Sequence, residues 1–435
     1  MMQTIDLRGA QPTAAELLAL VPRSRSDVSA AEAIAAELIA DVRTRGADAL
    51  LDQSERFDGV RPGQLRVPRA HLDDALAALD PAVADAARES IRRVREASAA
   101  QVPPPGRTEL GEGAVVEQRW QPVGRVGLYV PGGKAVYPSS VIMNVVPAQV
   151  AGVGSIAIAS PPQPDHGGRV HPTILGIAAL LGVDEVYAMG GAGAIGAFAH
   201  GVPDAGLEPV QVVTGPGNRF VAAGKRVVRG VVGIDAEAGP TDILVIADGS
   251  ADPDLVAADL VSQAEHDELA AAVLVTDDDG LAARVGERLA VRQGATRHAE
   301  RVRASLTGEQ SATVLVDDLA QAAAFANAFG PEHLEIQVGD PDAVLALIEN
   351  AGAIFIGPYS PVSLGDYSAG SNHVLPTGGH ARFSAGLSAA TFLRPQQVVR
   401  YDERGLSAVA AGIDALALDE QLPAHAEAVR ARFGG

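Results

Sequence analysis

The sequence predicts an α/β protein with two Rossmann-like lobes and helical extensions at both ends. Three features predict it. Short apolar runs alternate with helical stretches from about residue 125 to 360, Gly-rich loops follow several of those runs, and the flanking segments repeat apolar residues every three or four positions. At 435 residues, 47% of them hydrophobic, the chain exceeds what one core supports and predicts two or more domains.

From about residue 12 to 100 the helical period dominates. "AAEAIAAELIADVRTRG" and "PAVADAARESIRRVREASAA" keep an apolar face, and Pro81 suits a first helical turn. "QVPPPGRTELGEG" breaks the pattern with prolines. Strands are then predicted in "GRVGLYVPGG", "GSIAIASPP", "EVYAMGG", "VQVVTGPGN", "VVGIDAEAGPTDILVIAD", "AAAVLVTDD", "ATVLVDD" and "GAIFIGPYS", separated by helical lengths as in parallel βαβ units. One lobe spans about 128–238 and the other about 240–360, with a seam near "DAEAGPTD". The last 45 residues or so read as helix, ending in "ALDEQLPAHAEAVRARFGG".

Gly-rich loops after strands, "YVPGGKAVYPSS", "GGAGAIG" and "TGPGNRF", lie where open α/β sheets receive ligands. The second contains G-x-G-x-x-G at Gly191, Gly193 and Gly196. A dinucleotide fingerprint also needs a strand before, a helix after and a ribose-binding acid. The first two conditions are met. The next strand ends in Val213, Thr214 and Gly215, without a carboxylate, so close packing of backbone remains the competing reading of these glycines.

A formal net charge of -20 disfavours nucleic acid and anionic membrane as partners, since phosphate binding needs clustered Lys and Arg. A cationic start with an apolar core and a long apolar run are both missing, which leads to the expectation of a cytoplasmic protein. The absence of cysteine removes thiolate metal ligands and covalent thiol catalysis.

The chain has 10 histidines, four of them in conspicuous settings. Gln263 and His266, three apart in a predicted helix, share a face. Glu332 and His333 follow Pro331. Asp366 and His373 lie in "SLGDYSAGSNHVLPTGG", which is too irregular for helix or strand. Glu420 and His425 flank a proline near the end. Imidazole, carboxylate and amide oxygen together suit Zn²⁺. The spacing has no compact signature such as H-E-x-x-H, so each His reads first as a hydrogen-bonding residue, and a metal site assembled from distant segments stays open.

With these segments laid out, the chain resembles the histidinol dehydrogenase family over nearly its whole length. The resemblance is carried by "GLYVPGGKAVYPSSVIMNVVPAQVAGV", "GPGNRFVAAGK", "GIDAEAGPTD", "SQAEHDELAAAVLVT", "PEHLEI" and "SLGDYSAGSNHVLPTGG", in that order. It implies a zinc-dependent oxidation of L-histidinol to L-histidine through histidinaldehyde with two NAD⁺, by a homodimer with one Zn²⁺ per subunit. It implies zinc ligands Gln263, His266, Asp366 and His425; a general base, His333; and Glu332 activating water. Substrate contacts would be Thr241, Gln263, His266, Glu332, His333, Asp366, His373, Glu420 and His425. On the NAD side it implies Tyr129, Gly193 and Asn218. Gly193 stands where the family carries glutamine, which predicts weaker NAD⁺ binding, improved by Gly193→Gln.

The domains implied are an N-terminal extension (1–22), a zinc and substrate domain (23–127 plus 239–387), an NAD-side domain (128–238) and a C-terminal helical tail (388–435) swapped between subunits. Without cysteine, aldehyde oxidation has to pass through the hydrate or another nucleophile's adduct, and a gem-diol formed by Glu332 and water is expected. The rival readings are a relative oxidising another primary alcohol such as a sulfonated diol, a catalytically silent metabolite-binding homologue, and a zinc hydrolase.

Overall fold

The computed structural model describes residues 2–23, 28–132, 136–236 and 239–434. The centre of the first Gly-rich loop (133–135) and part of the predicted seam (237–238) lie outside the described residues. The chain divides into two units, Met1–Gln101 with Gly124–Phe392, and Val102–Val123 with Leu393–Gly435.

The strands in chain order are β1 (Gln3–Asp6), β2 (Gly106–Gly111), β3 (Ala114–Pro122), β4 (Arg125–Tyr129), β5 (Ser155–Ser160), β6 (Val186–Ala188), β7 (Val212–Thr214), β8 (Gly233–Ile234), β9 (Asp242–Ala247), β10 (Ala271–Thr276), β11 (Ala312–Leu315), β12 (His333–Gln337), β13 (Ala353–Ile356) and β14 (Leu393–Tyr401). The first unit holds two parallel sheets, ordered β6-β5-β4-β7-β8 and β1-β11-β10-β9-β12-β13. Apart from the added edge strand β1, both follow the order third-second-first-fourth-fifth of a nucleotide-binding α/β half. The predicted fold class of two Rossmann-like lobes is therefore observed.

The two faces of the six-stranded sheet bury alternate residues of the same strands. Leu244, Ile246, Val273 and Val275 pack with Phe325, Ala326 and Phe329 of the Leu319–Phe329 helix. Ile243, Val245, Ala272 and Leu274 face the other way, onto Val256, Ala257 and Leu260 of the Pro253–Ala264 helix. Burial on both faces explains why these strands read as unbroken apolar runs. On the five-stranded sheet, Ala157, Ala159, Tyr129 and Tyr187 share a core with Ile39, Val42, Ala49 and Leu50. The helices Val28–Arg45 and Ala47–Phe57 of the predicted helical lead-in thus pack on this sheet.

Five strands escaped the sequence reading. β1 has only four residues and gains its place by pairing with β11 at the sheet edge. β12 was read as a site segment, yet it is fully buried between β9 and β13. β2, β3 and β14 form the antiparallel sheet of the second unit, where a helix was expected over 393–401. β14 forms because nine residues register against β3, and as an edge strand it tolerates Pro395. The same unit then carries the helices Glu403–Asp419 and Pro423–Arg430. Among the described residues no helix is long and apolar enough to cross a membrane.

Candidate active site

Glu332 and His333, the pair expected to be catalytic, stand at the amino end of one strand beside the amino end of its neighbour. Glu332 precedes β12, His333 opens it, and Thr241 and Asp242 enter the adjacent β9. The Glu332 N–H donates to Asp242 Oδ1 (2.6 Å) while the Asp242 N–H donates to Glu332 Oε2 (3.0 Å), a reciprocal latch across the pair of strands. Asp242 Oδ2 also accepts from the Gly378 N–H (3.3 Å). Thr241 Oγ1 donates to Glu332 Oε2 and accepts from the Gln263 amide.

His333 Nδ1 lies 3.0 Å from the Asp242 carbonyl oxygen. A carbonyl only accepts, so Nδ1 carries the proton and Nε2 keeps a free lone pair, the tautomer a general base needs. Burial pushes the imidazole pKa down, and the charge of Asp366 works against that. Burial pushes the Glu332 carboxyl up to about 8, opposed by its hydrogen bonds from Thr241 and the Asp242 N–H. Its proton is therefore exchanged near neutrality, where a group handling water in a reaction has to work.

Around this pair the first unit gathers Gln263, His266, Asp366 and His373. Gln263 is buried near the end of the Pro253–Ala264 helix, but that helix stops before His266, which lies in a turn past the C-cap Glu265. The shared helix face predicted for the two residues is thus replaced by a helix end and its turn. Asp366, expected in an irregular segment, sits in the short helix Val362–Tyr367. His373 Nδ1 donates to the Asp366 backbone oxygen (3.2 Å), and Nε2 accepts from Ser140 Oγ (3.2 Å). Both ring nitrogens of His373 are thereby engaged within the protein, and burial keeps it neutral by lowering its pKa. The same cause lowers His266.

Sequence reasoning missed Asp242, Tyr137 and Ser140. Tyr137 stacks on His266 (ring centroids 6.5 Å apart, 6° between planes), and it precedes the Pro138–Ala151 helix that carries Ser140. The signal was present in the loop "YVPGGKAVYPSS", which was singled out only for its glycines. Thr214 at the end of β7 donates to Asn144, whose amide donates to the Ser140 carbonyl, so this helix ties the five-stranded sheet to His373.

Among the described residues no three His, Cys, Asp or Glu side chains form a ready metal group. The first unit offers two such donors, His266 and Asp366, together with Gln263. The Gln263 amide nitrogen is committed to Thr241, which leaves its oxygen for a cation. Those donor types fit Zn²⁺ and require completion. Glu420 caps the Glu403–Asp419 helix of the second unit and His425 lies in its Pro423–Arg430 helix, both exposed.

The carboxyl ends of the two sheets differ. Beyond the six-stranded sheet lies a cleft lined by Asp248, Asp277, Asp278, Asp279 and Arg8, unsuited to an anionic dinucleotide. Beyond the five-stranded sheet, the order reverses between β4 and β7. There Gly215 (φ +113°) runs against Tyr129, whose carbonyl oxygen a Cβ would approach to 2.0 Å. Tyr129 is buried and accepts the Gly191 N–H on its hydroxyl (3.2 Å). Asn218 Oδ1 caps the Arg219–Val228 helix, leaving its amide N–H₂ for a ligand. Gly193 is buried inside the Gly191–His200 helix, and a Cβ there would lie 2.1 Å from Gln53 Oε1. One at Gly196 would lie 2.9 Å from Ile39. These two glycines admit neighbouring helices, and the G-x-G-x-x-G follows the third strand of its sheet, where a fingerprint would follow the first.

The profile of the histidinol dehydrogenase family matches residues 21–433. The chain is 68% identical over 432 residues to histidinol dehydrogenase of Leifsonia xyli subsp. xyli, covering 99% of both chains. It is 57% identical over 432 residues to that of Mycobacterium tuberculosis, covering 99% of this chain and 97% of the relative. The crystal structure of histidinol dehydrogenase from Elizabethkingia anophelis superposes with a TM-score of 0.92 at 31% identity, covering 99% of this chain and 98% of the other. The Glu332–His333 pair beside His266 and Asp366 thus belongs to a chain of known kin: it is a member of the histidinol dehydrogenase family and an oxidoreductase.

Proposed function

We propose that the chain oxidises L-histidinol to L-histidine through L-histidinaldehyde, with two NAD⁺ as hydride acceptors, as a cytoplasmic homodimer. The observation that carries this is the Nε2 lone pair of His333 held open beside Glu332, with the Asp366 carboxylate close enough to act on both and His266 close enough to act on His333. A zinc ion would be held by Gln263, His266 and Asp366, with His425 of the partner subunit of a homodimer as fourth ligand. When bound it supplies a positive charge that anchors the imidazole and amine of the substrate.

His333 Nε2 takes the alcohol proton as the first hydride leaves carbon for the nicotinamide, giving the aldehyde. Glu332 then takes a proton from water as the oxygen adds to the aldehyde carbon, and His333 gives its proton to the former carbonyl oxygen, which completes the gem-diol and frees Nε2 again. His333 takes a gem-diol proton as the second hydride leaves, giving the acid. With no cysteine in the chain, no thiohemiacetal forms. Asp242 holds both residues in register through the backbone of one and the side chain of the other.

The test is NADH released per L-histidinol consumed by the zinc-loaded protein. Two per substrate is expected. One NADH with accumulated aldehyde would remove Glu332 from its role, and activity only on other primary alcohols, sulfonated diols among them, would overturn the substrate.

A further inference from the structure

The five-stranded sheet has the strand order of a nucleotide-binding half, and in such sheets an acid at the end of the second strand holds a ribose. Here the second strand is β5, and it runs into Ser160, Pro161 and Pro162. A carboxylate reaches the same place from elsewhere. Asp58 ends the Ala47–Phe57 helix, which packs on this sheet. A Cβ built on Gly190 would lie 3.0 Å from Pro161 Cγ and 3.5 Å from Asp58 Oδ2, so the carboxylate stands between the ends of β5 and β6. Its charge also reaches Tyr129 at the end of β4.

Asp58 is partly buried and, among the described residues, its carboxylate accepts no hydrogen bond and faces no cation. Burial alone accordingly raises its pKa, to about 6. Two other partly buried acids of this lobe are partnered: Glu185 has Arg125 and the Tyr187 hydroxyl, and Asp235 has Lys225. A part-buried carboxylate without a partner is costly in a fold, and a ligand donor removes that cost.

We propose that Asp58 accepts hydrogen bonds from a ribose diol of the bound dinucleotide, supplying from the end of a helix the acid that β5 lacks. The inference rests on the NAD-side reading of this sheet given above. A carboxylate bound to vicinal hydroxyls tolerates neither their loss nor a phosphate on them.

The test compares the full-length protein with Asp58→Asn. The variant is expected to raise KM for NAD⁺ about tenfold, as for loss of a charge-assisted hydrogen bond, with kcat and the KM for histidinol within about twofold. In parallel, the unaltered protein is titrated with NAD⁺ and with its 2′-deoxy analogues on the adenosine and on the nicotinamide side. Weaker binding of one analogue supports the proposal and identifies the ribose, even if the variant does not fold. Lower thermal stability with unchanged KM and no discrimination against either analogue would reduce Asp58 to a partner of the Gly191–His200 helix dipole and overturn the proposal. Unaltered protein that does not reduce NAD⁺ at all would overturn the cofactor reading as well.

Discussion

Asp242 and Glu332 hold each other at the mouth of the six-stranded sheet, each backbone N–H donating to the other's carboxylate. This exchange fixes the neighbouring strands β9 and β12 in the register that puts His333 Nδ1 on the Asp242 carbonyl. Asp242→Ala would leave the buried Glu332 N–H without its acceptor, at about 1–3 kcal/mol, while the exposed Gly378 N–H would turn to solvent. Lower thermal stability and a fall in kcat larger than any change in substrate KM are expected; Asp242→Asn, which keeps one acceptor, should recover part of both.

His333 supplies a pH prediction. Its base form is neutral, and burial lowers its pKa below 6.5, so activity should persist below the ordinary imidazole value before falling with acid. His333→Asn should cost about 10²–10⁴ in kcat and flatten that acidic limb. The pH profile of kcat for both proteins decides it, and a limb that stays in the variant would assign it to another group.

Glu335 makes a separate, structural prediction. Buried in β12 beside Asp259 and Gln337, it has its pKa raised first by burial and then by Asp259. A carboxyl more basic in the folded than in the unfolded chain binds more protons when folded, so its contribution to stability is present in acid and is lost as pH rises above 4.5. Glu335→Gln keeps an oxygen for the Val362 N–H and should flatten the decline in unfolding midpoint between acidic and mildly alkaline buffer.

Gly193→Gln, expected from the sequence to improve NAD⁺ binding, now meets an occupied site. Gln53 Oε1 stands where the new Cβ would go, with Leu50 at 3.3 Å behind it. In the single variant the Gln53 amide has to swing away and give up its bond to the Leu38 carbonyl, at about 1 kcal/mol. Gly193→Gln with Gln53→Ala removes the obstructing amide, and only the double variant gives a clean comparison of NAD⁺ affinity.

If Glu420 and His425 serve the partner's site, chains carrying His333→Asn and chains carrying His425→Asn complement each other. Each is inactive alone. After subunit exchange, half of the dimers would hold one intact site, so about one quarter of full activity is expected. No recovery in verified mixed dimers would put both halves of each site on one chain.

The sequence by itself determined the parallel α/β architecture, because strands buried on both faces leave continuous apolar runs and their crossovers leave helical ones. It also pointed to Gln263, His266, Glu332, His333 and Asp366, since 10 histidines are few enough to be weighed singly and the other three stand within seven positions of one. Tertiary structure alone decided how those residues are held. The latch from Asp242, the stacking of Tyr137 on His266 and the bond from Ser140 to His373 join positions about 90 to 230 residues apart, a distance at which no local period carries information. The same holds for Gly193, whose missing side chain is answered by Gln53 on another helix, and for Asp58, placed at the end of β5 by helix packing. Local propensity writes elements into a sequence, but the approach of one element to another depends on the whole core closing.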